Sequence, residues 1–456
     1  MKRIMIAGTN SGCGKTTVTC AVLQALVERG HKVSSFKSGP DYIDPMFHSK
    51  IIGTKSRNLD GCFCDSNTLR YLLKKNALDI SVIEGVMGFY DGVGEKASSH
   101  CLSLDTETPV IIVIDCKGMS LSIGAVMKGF LEFRRPNNIA GFIFNRLPAS
   151  LEDKARELCR SLNTGFFGFL PYKKECAIES RNLGLVTAGE ISDLKQKMHK
   201  LAETAEKTLL IDEIIRISES APELSCYAPE VKKITEIPIR IGVACDEAFC
   251  FYYEDNFTLL EELGCEIVRF SPLSDSVLPD DICGLILGGG YPELYADKLS
   301  SNKSMLNDIL SKINNKLPTI AECGGFMYLH KTLVNKNKMR YNMVGAIDGE
   351  IFPTEKLCRF GYISLTAEND NLICSSGDEI LAHEFHYWDS SSCGTGFNAV
   401  KISSGASYKA VHASDSLYAG FPHLHFYSNP EIAVNFVKKC LSLKQEHNNG
   451  EYIRFY

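Results

Sequence analysis

The first 190 residues alternate between two patterns of apolar and polar positions. Short runs of β-branched and other apolar residues alternate with longer segments whose apolar side chains recur every three or four positions. This alternation predicts a parallel sheet with helices on both faces. The predicted strands are Arg3–Ala7, Lys32–Lys37, Ile80–Glu84, Val110–Asp115, Gly141–Asn145 and Thr164–Leu170, and the predicted helices include Thr16–Glu28 and Met119–Arg134.

A long helical pattern and a proline-containing segment divide the chain. Residues Ile191–Ser218 repeat apolar side chains with a period near 3.6, which predicts a helix. The segment that follows contains Pro222, Pro229 and Pro238 and few apolar residues, and a second strand–helix series begins directly after it. We therefore predict two doubly wound α/β domains. Their predicted bounds are 1–220 and 239–456, with a linker at 221–238.

Composition narrows the class of protein. The 456 residues carry a net charge of −6 and 45% apolar side chains, a balance that fits a globular protein. This charge gives no support to a nucleic-acid or membrane-surface role. No apolar stretch approaches the length that spans a bilayer, and the first residues do not read as a signal peptide. Because the 18 cysteines lack a paired framework, we expect a cytoplasmic protein with free thiols.

A glycine-containing loop after the first predicted strand has the form of a phosphate-binding loop. Residues 8–17 read Gly-Thr-Asn-Ser-Gly-Cys-Gly-Lys-Thr-Thr and lead directly into a helical pattern. Gly12 and Gly14 let backbone amides turn toward phosphate oxygens, and the helix N-terminus adds positive charge. Lys15 is expected to reach the terminal phosphates of a nucleotide, and the Thr16 hydroxyl is expected to bind Mg²⁺.

Carboxylates near the ends of strands supply candidate metal ligands. Glu84 ends an apolar strand, and ligands of open α/β sheets bind at the carboxyl ends of the strands. Asp60, which follows Arg57-Asn58-Leu59, is a second candidate. The sequence therefore offers two acids that can complete a magnesium site beside the loop.

The loop and several later positions resemble the dethiobiotin synthetase family, whose loop reads Gly-Thr-Asp-Thr-x-x-Gly-Lys-Thr. That family makes a carboxyl phosphate from a carboxylate and ATP, which is the activation that amide synthesis requires. The resemblance also implies a homodimer formed through this domain. It implies ATP binding by Gly12, Gly14, Lys15, Thr16, Thr17, Lys37 and Asn145, with Asn145 reading adenine, and Mg²⁺ binding by Thr16, Asp60 and Glu84.

The second predicted domain contains a cysteine in a strand–turn–helix setting. Thr319-Ile320-Ala321-Glu322 precedes Cys323, and small residues around this cysteine permit the strained turn that exposes a nucleophile. The start of the following helix favours the thiolate, which is the reactive form. Gly289, Gly290 and Gly324 offer backbone amides for an oxyanion hole.

The segment His423-Leu424-His425-Phe426 supplies a base late in this domain. A glycine run, an elbow cysteine and a late histidine resemble, in this order, class I glutamine amidotransferases. The resemblance implies a flavodoxin-like domain that releases ammonia from L-glutamine. It puts His425 in the base position, although the residues alone leave His423 open. Phe426 and Tyr427 stand where that class has Pro-Glu, so a slow or substrate-gated glutaminase is predicted.

Longer motifs in both halves resemble the cobyrinic acid a,c-diamide synthase family along essentially the whole chain. The motifs are residues 39–48, 84–92, 246–253, 270–273, 288–294 and 383–387. The resemblance implies a carbon–nitrogen ligase of cobalamin biosynthesis that uses ATP, Mg²⁺ and L-glutamine to amidate the a- and c-carboxylates of cobyrinate. It also implies substrate-side roles for Asp41, Tyr42, Asp44 and Asp91.

Two alternatives stay open. A diamide synthase acting on nickel-sirohydrochlorin or hydrogenobyrinic acid would carry the same motifs, and only substrate assays separate these reactions. A partner-regulating P-loop ATPase of the partitioning type needs a lysine early in the loop, where this chain has Thr9-Asn10-Ser11. The ATPase alternative also does not explain the domain that contains Cys323.

Overall fold

The computed structural model describes residues 1–93, 96–173 and 188–453. The chain divides into two compact units, Met1–Pro229 and Glu230–Tyr456, and each unit has a hydrophobic core of its own. Both units are built from strands and helices, so the predicted α/β class is confirmed. Within the described residues, no helix is both long enough and apolar enough to cross a membrane.

The first unit is built on one parallel sheet. Its strands are β1 (Lys2–Gly8), β2 (Val33–Ser38), β3 (Lys55–Leu59), β4 (Ile80–Glu84), β5 (Val110–Asp115), β6 (Ile139–Asn145) and β7 (Gly165–Leu170). Its helices are α1 (Lys15–Glu28), α2 (Ile43–Phe47), α3 (Ser66–Asn76), α4 (Ser99–Asp105), α5 (Ser122–Glu132), α6 (Glu152–Ser161), α7 (Ala188–Thr208) and α8 (Ile211–Glu219). The spatial order of the strands is β3-β2-β4-β1-β5-β6-β7. The carboxyl ends of β1, β2 and β4 therefore meet at the centre of one sheet edge.

Two elements of this unit differ from the predictions. Strand β3 was not predicted, because it lies at the edge of the sheet and most of its residues are polar. The single helix predicted over 191–218 is wrong, since α7 and α8 are separate. Between them Leu209 forms a bridge with Gly168, and the Leu210 N–H donates to the Phe167 carbonyl at 3.0 Å. These bonds to the edge of β7 interrupt the helix.

The second unit contains a mostly parallel sheet that carries its site. Its strands are β8 (Ile239–Ala244), β9 (Phe249–Phe251), β10 (Cys265–Phe270), β11 (Gly284–Leu287), β12 (Gly289–Gly290), β13 (Thr319–Glu322), β14 (His330–Val334), β15 (Arg340–Asn342), β16 (Ile347–Pro353), β17 (Arg359–Ala367), β18 (Glu379–His386), β19 (Trp388–Ser390), β20 (Phe397–Lys401), β21 (Ser407–Ala410), β22 (His412–Ser414), β23 (Leu417–Gly420) and β24 (His423–Leu424). Its helices are α9 (Glu254–Glu262), α10 (Ala296–Ser301), α11 (Lys303–Asn314), α12 (Gly324–Leu329) and α13 (Glu431–Ile453).

The main sheet of this unit has the order β10-β8-β11-β13-β23-β22. Its first five strands are parallel and follow the flavodoxin-like order, which confirms the fold predicted for this half. Further sheets with the orders β15-β14-β16-β19 and β21-β20-β17-β18-β24 were not predicted. Strand β24 pairs with β18, and this pairing aligns His383 with His423.

Candidate active sites

The phosphate-binding loop joins β1 to α1 in the shape that the sequence predicts. Gly14 caps α1 with a φ of 99°, a left-handed conformation that favours glycine. The Asn145 side-chain amide, at the end of β6, donates to the Cys13 carbonyl at 2.9 Å. A Cβ on Gly14 would overlap this amide. Glycine is therefore required at position 14 both by its backbone angle and by the close approach of Asn145.

Thr16, Lys37 and Glu84 meet where α1 begins and β2 and β4 end. The Thr16 hydroxyl donates to Glu84 Oε1 at 2.6 Å, and Lys37 Nζ lies 3.0 Å from the same oxygen. Lys37 and Glu84 are aligned partners on neighbouring strands. Lys37 Nζ also lies 2.6 Å from Asp44 Oδ2, and His48 Nε2 lies 3.4 Å from Glu84 Oε2. One lysine therefore bridges two carboxylates in the interior.

Burial and charge together set the protonation of this cluster. Burial raises the pKa of Glu84, but Lys37 and hydrogen bonds from His48 and Thr16 bring that pKa below its ordinary value. Burial, and then the Glu84 charge, raise the pKa of Asp44 to about 8. Burial lowers the pKa of Lys37, yet the surrounding carboxylates bring it above its ordinary value. Lys37 is therefore a buried cation whose charge depends on its acidic neighbours.

A cavity of about 230 Å³ lies beside the loop. Gly12, Gly14, Thr17 and Asn145 of its lining were predicted from the sequence, and the other lining residues were missed. Two of those missed, Arg146 and Tyr172, follow the ends of β6 and β7, where ligands of such sheets bind. Arg146 pairs with Asp115, and Lys173 Nζ donates to Thr204 Oγ1 at 2.9 Å. The lining residues are Gly12, Gly14, Thr17, Asn145, Arg146, Leu170, Pro171, Tyr172, Lys173, Leu201 and Thr204.

Lys15 and the other predicted ligand residues have identifiable partners. Lys15 Nζ donates to the Asn10 carbonyl at 3.0 Å, and burial lowers the pKa of Lys15. Asp41 Oδ1 accepts from the N–H groups of residues 43 and 44, at 2.9 and 3.2 Å. Asp91 Oδ2 accepts from the Gly88 N–H at 2.9 Å. Asp41 and Asp91 thus stabilise turns, and Tyr42 is half-buried beside Asp41.

The predicted magnesium ligands are brought together only in part. Thr16 and Glu84 are in contact, and their hydroxyl and carboxylate oxygens suit Mg²⁺. Asp60 follows β3, β2 separates β3 from β4, and the residue aligned with Glu84 is Asn58, so the Asp60 and Glu84 backbones lie more than about 9.5 Å apart. Asp60 Oδ1 accepts from the Cys62 N–H at 2.8 Å. Across 1–93, 96–173 and 188–453, no cluster of three His, Cys, Asp or Glu residues has metal-site geometry.

Replacing Lys37 by methionine is expected to lower the free energy of unfolding by about 3–5 kcal/mol, because it leaves two buried carboxylates without their cation. Urea unfolding followed by far-UV circular dichroism measures this loss. Without Lys37 the folded pKa of Glu84 rises above its unfolded value, and that of Asp44, which is already about 8, rises further. The difference in free energy of unfolding between the variant and wild type should therefore be smallest near pH 4 and should grow as the pH rises.

Two further variants test the cause of this loss. Lys154→Met removes an exposed lysine that pairs with Glu157, and it should change the free energy of unfolding by less than about 0.5 kcal/mol. Adding Asp44→Asn to the Lys37 variant removes one of the two carboxylates and should recover part of the loss. A double variant no more stable than Lys37→Met would contradict the electrostatic explanation.

In the second unit, Cys323 occupies a sharp turn between β13 and α12. Its φ of 46° and ψ of −99° are rare for a residue with a side chain, and such strain is concentrated at functional sites. The Cys323 N–H donates to the Gly420 carbonyl at 2.8 Å, which ties the turn to β23. Cys323 is therefore held at the carboxyl end of the central strand, as predicted for a nucleophile elbow.

The predicted oxyanion-hole glycines lie against this turn. A Cβ on Gly324 would lie 2.9 Å from the Gly290 backbone nitrogen, and a Cβ on Gly289 would lie 2.6 Å from His423 Cε1. The Gly325 N–H donates to the Gly288 carbonyl at 2.8 Å, which holds the glycine run beside α12. A side chain at Gly324 would therefore push the cysteine turn away from the glycine run, and one at Gly289 would displace His423.

The structure brings His423 to Cys323. Burial lowers the pKa of His423, but the charge and hydrogen bond of Cys323, together with Glu322, raise it to about 10. Burial lowers the pKa of His425 to about 4, and its ring packs against Tyr253 with centroids 4.8 Å apart. The prediction of His425 as the base does not agree with these contacts, because the side chain that is hydrogen-bonded to Cys323 is that of His423.

Glu322 is a site residue that sequence reasoning missed. Its Oε2 lies 3.4 Å from His423 Nδ1, and its Oε1 accepts from the Leu424 N–H at 3.1 Å. The available signal was a carboxylate directly before the elbow cysteine, at the end of a buried strand. The contact between Glu322 and His423 could not be inferred from that position alone.

A cavity of the second unit lies away from this turn. Its volume is about 610 Å³, and it is lined by Asn369, Ser392, Cys393, Gly394, Thr395, Gly396, His412, Ala413, Ser414 and Leu417. None of the predicted site residues belongs to this set. The chemistry of the elbow, rather than cavity size, therefore identifies the candidate site.

Comparison with known proteins assigns a domain family to each of the two units. Residues 4–186 match the CobQ/CobB/MinD/ParA nucleotide binding domain, and residues 240–431 match the CobB/CobQ-like glutamine amidotransferase domain. The cobyrinate a,c-diamide synthase of Priestia megaterium is 34% identical to this chain, over 98% of this chain and 99% of its own length. The enzymes of the same name from Thermoplasma volcanium and Listeria innocua are each 38% identical, over 96% and 95% of this chain and 97% and 98% of their own lengths.

This chain belongs to the cobyrinate a,c-diamide synthase family. The family resemblance seen in the sequence motifs is thereby confirmed, as is the assignment to the glutamine-dependent ligases. The match to the nucleotide binding domain supports the use of ATP by the first unit. Among solved structures, the MinD cell division protein of Aquifex aeolicus is 15% identical over 50% of this chain and 100% of that chain, and its TM-score of 0.32 is too low to bear on function.

Proposed function

We propose that this protein amidates the a- and c-carboxylates of cobyrinate, with L-glutamine as nitrogen donor and ATP as activating nucleotide. The observation that carries the proposal is the pairing of Cys323 with His423 in a glutamine amidotransferase unit. The relatives named cobyrinate a,c-diamide synthase, which align along nearly the whole chain, support this choice of substrate.

The glutaminase reaction begins at Cys323. Its sulfur attacks the carboxamide carbon of glutamine, and the imidazolium of His423 gives a proton to the departing nitrogen, which leaves as ammonia. Water then cleaves the glutamyl thioester with His423 as base. The backbone N–H groups of Gly289, Gly290 and Gly324 are proposed to stabilise the oxyanion, since these glycines lie against the cysteine turn.

The first unit is proposed to activate the acceptor. A carboxylate of the tetrapyrrole attacks the γ-phosphorus of ATP, and ADP leaves. Ammonia then attacks the carbonyl carbon of the acyl phosphate, forms the amide and displaces phosphate. The loop at Gly12 and Gly14 binds the phosphates, and Lys15 neutralises charge on them. Asn145 stands at the cavity where the base is proposed to bind.

Thr16 and Glu84 are the residues proposed to hold Mg²⁺, which supplies charge neutralisation between the phosphates when bound. Lys37 neutralises Glu84 and Asp44, and it is also proposed to contact phosphate. We propose substrate contacts for Asp41, Tyr42, Asp44 and Asp91, and a supporting role at the metal site for Asp60. The homodimer implied by dethiobiotin synthetase stays a prediction, which sedimentation velocity can test.

The test of this function measures phosphate release with Mg·ATP and glutamine in the presence of cobyrinate, of nickel-sirohydrochlorin, or of no tetrapyrrole. Mass spectrometry of the products counts the carboxylates converted to amides. We expect phosphate release that depends on cobyrinate and two successive amidations.

The other outcomes discriminate between the alternatives. Turnover with nickel-sirohydrochlorin alone would keep the mechanism and refute cobyrinate as the substrate. Hydrogenobyrinic acid, added as a fourth condition, tests whether the central cobalt is required. ATP hydrolysis that ignores every tetrapyrrole and glutamine would refute the amidation and favour a regulatory ATPase.

A further inference from the structure

Glu322 is placed by the sheet itself beside the cysteine and the histidine. It is the last residue of β13, in register with Gly420 of the neighbouring strand β23. The chain leaving β23 enters β24, which pairs with β18 in another sheet, and this places His423 in contact with Glu322 at the end of β13. Glu322 is buried, with 8% of its surface exposed.

The two oxygens of this carboxylate contact different parts of the segment that carries the histidine. Oε2 faces Nδ1 of the His423 ring at 3.4 Å, while Oε1 accepts from the Leu424 backbone N–H at 3.1 Å. On the other side, Asn256 donates from Nδ2 to the Leu424 carbonyl at 2.9 Å. The backbone is therefore held from both sides, and the ring is oriented with Nδ1 toward Glu322.

This orientation decides which ring nitrogen meets the thiol. A carboxylate at Nδ1 keeps a proton on that nitrogen and leaves Nε2 to exchange a proton with a nucleophile. The other hydrogen-bond partner of the His423 side chain is Cys323. Glu322, His423 and Cys323 thus form a continuous chain of carboxylate, imidazole and sulfur.

The position two residues after His423 does not supply a carboxylate. His425 stands there, and burial lowers its pKa to about 4, so that it is neutral at pH 7. The sequence-based expectation of an incomplete triad rested on the residues that follow the histidines. In the structure a carboxylate is supplied from the strand before the cysteine.

We propose that Glu322 is the positioning residue of the glutaminase, which orients His423 through Nδ1 and stabilises its imidazolium form when Cys323 is a thiolate. This inference rests on the proposed glutaminase function of the second unit. If Glu322 supplies the carboxylate, the triad is complete. The slow glutaminase that a missing carboxylate predicted is then no longer expected.

Other titratable groups also face His423, and they must be separated from Glu322. On β18, which pairs with β24, these groups are His383, Glu384 and His386. Glu384 is buried and accepts a hydrogen bond from the Tyr408 hydroxyl. Glu384 therefore offers a buried carboxylate of the same unit whose hydrogen bond goes to Tyr408 rather than to the His423 ring, and it serves as the matched control.

The experiment compares wild type with Glu322→Gln and Glu384→Gln in the full-length protein. Glutamine at position 322 keeps an oxygen that can accept from the Leu424 N–H and removes only the charge. We expect kcat for glutamine hydrolysis to fall on the order of 100-fold in Glu322→Gln with little change in KM, because a positioning carboxylate acts in the transition state. Glu384→Gln is expected to retain kcat within about threefold.

The second readout is the titration of His423 by NMR in protein labelled with ¹⁵N-histidine, the signal being assigned by its loss in His423→Gln. In Glu322→Gln the His423 ring should lose its proton at a lower pH than in wild type, since a stabilising negative charge is gone. Glu322→Asp keeps the charge on a shorter side chain, and its titration should lie closer to wild type. This second variant keeps the test open if Glu322→Gln does not fold.

The two readouts decide the proposal together. An unchanged His423 titration in Glu322→Gln overturns it, whether kcat falls or not, because a purely structural role for Glu322 would spare the titration. A shifted titration with kcat within about twofold of wild type also overturns the catalytic part. A wild-type chain without glutaminase activity would instead count against the proposed function, and the titration would still decide the contact between Glu322 and His423.

Discussion

Replacing Cys323 by alanine is expected to abolish glutamine-dependent amidation, by on the order of 10⁴-fold or more, while amidation from added ammonia persists. The alanine variant lacks the sulfur that must attack glutamine. The ATP-dependent step uses residues of the first unit, which has a separate core. Amide formation with glutamine or with ammonium chloride, measured by mass spectrometry at pH 8.5, distinguishes the two activities.

Cys374→Ala is the matched control for this variant. Cys374 is buried in the same unit to the same degree as Cys323, with 5% and 6% of their surfaces exposed. Burial raises the pKa of Cys374 to about 12, so it is a thiol rather than a nucleophile at neutral pH. This variant should keep glutamine-dependent activity within about twofold. Glutamine-dependent activity that survives in Cys323→Ala would mean that another residue is the nucleophile.

Features formed by neighbouring residues could be predicted from the sequence. The phosphate-binding loop depends on consecutive residues, Gly12 to Thr16, and the structure places it between a strand and a helix. The turn at Cys323 is equally local, since Gly324 and Gly325 directly after the cysteine permit its positive φ. Apolar runs such as Val110–Asp115 also read directly as strands, because both faces of a parallel sheet are buried.

Features formed by residues distant in sequence could not be predicted. The choice between His423 and His425 depends on how the chain turns after β23, and nothing in the segment itself encodes which ring faces Cys323. The contact of Glu322 with His423 joins residues about a hundred positions apart. Strand β3 depends on its neighbour β2 for hydrogen bonds and has little apolar pattern of its own.

The resemblance to known families compensated for part of this limit, and it also misled. It identified Lys37 and Glu84 as members of one site, and the structure shows that their side chains are in contact. Alignment of the late motif moved the base by two residues, because the two histidines are separated by a single residue and the motif does not show which ring contacts Cys323. Physical contact, rather than alignment, resolves such a choice.

Acid is expected to destabilise the second unit strongly, because several buried histidines must remain neutral for it to fold. Burial lowers the pKa of His330, His386 and His425 to about 4 and that of His383 to about 3. An unfolded histidine binds its proton near pH 6.5. Between pH 6.5 and 4 the unfolded chain therefore binds more protons than the folded one, and the free energy of unfolding falls as the pH falls.

The expected size of this effect is large. From pH 7 to pH 5 each of these histidines should lower the free energy of unfolding by about 2 kcal/mol, so that the four together remove several kcal/mol. The contribution of His423 to the free energy of unfolding depends on pH in the opposite direction. Its pKa is raised to about 10, so its contribution is complete below pH 6.5 and is lost as the pH rises through 10. It therefore does not offset the loss in acid by more than about 1 kcal/mol.

The single tryptophan of the chain makes this loss measurable for the second unit alone. Trp388 is 6% exposed, and its Nε1–H donates to the Val334 carbonyl at 3.1 Å, so its fluorescence reports the unfolding of this unit. Urea titrations at pH 7 and pH 5 give the free energy of unfolding at each pH. Equal values at the two pH values would mean that the buried histidines are protonated in the folded protein.

His383→Phe separates the histidine effect from the general titration of carboxylates. The His383 ring packs against the rings of Phe360 and Tyr362, with centroids 5.8 and 5.2 Å apart, so a phenyl ring suits this environment. Between pH 7 and pH 5 the free energy of unfolding of the variant should fall by about 2 kcal/mol less than that of wild type, because the variant lacks one histidine that stays neutral in the folded state. A variant with the same acid sensitivity as wild type would mean that carboxylates, and not the buried histidines, cause the loss of stability in acid. Asp44 of the first unit could not be one of these carboxylates. Burial raises its pKa to about 8, and a carboxylate of raised pKa stabilises the folded state in acid.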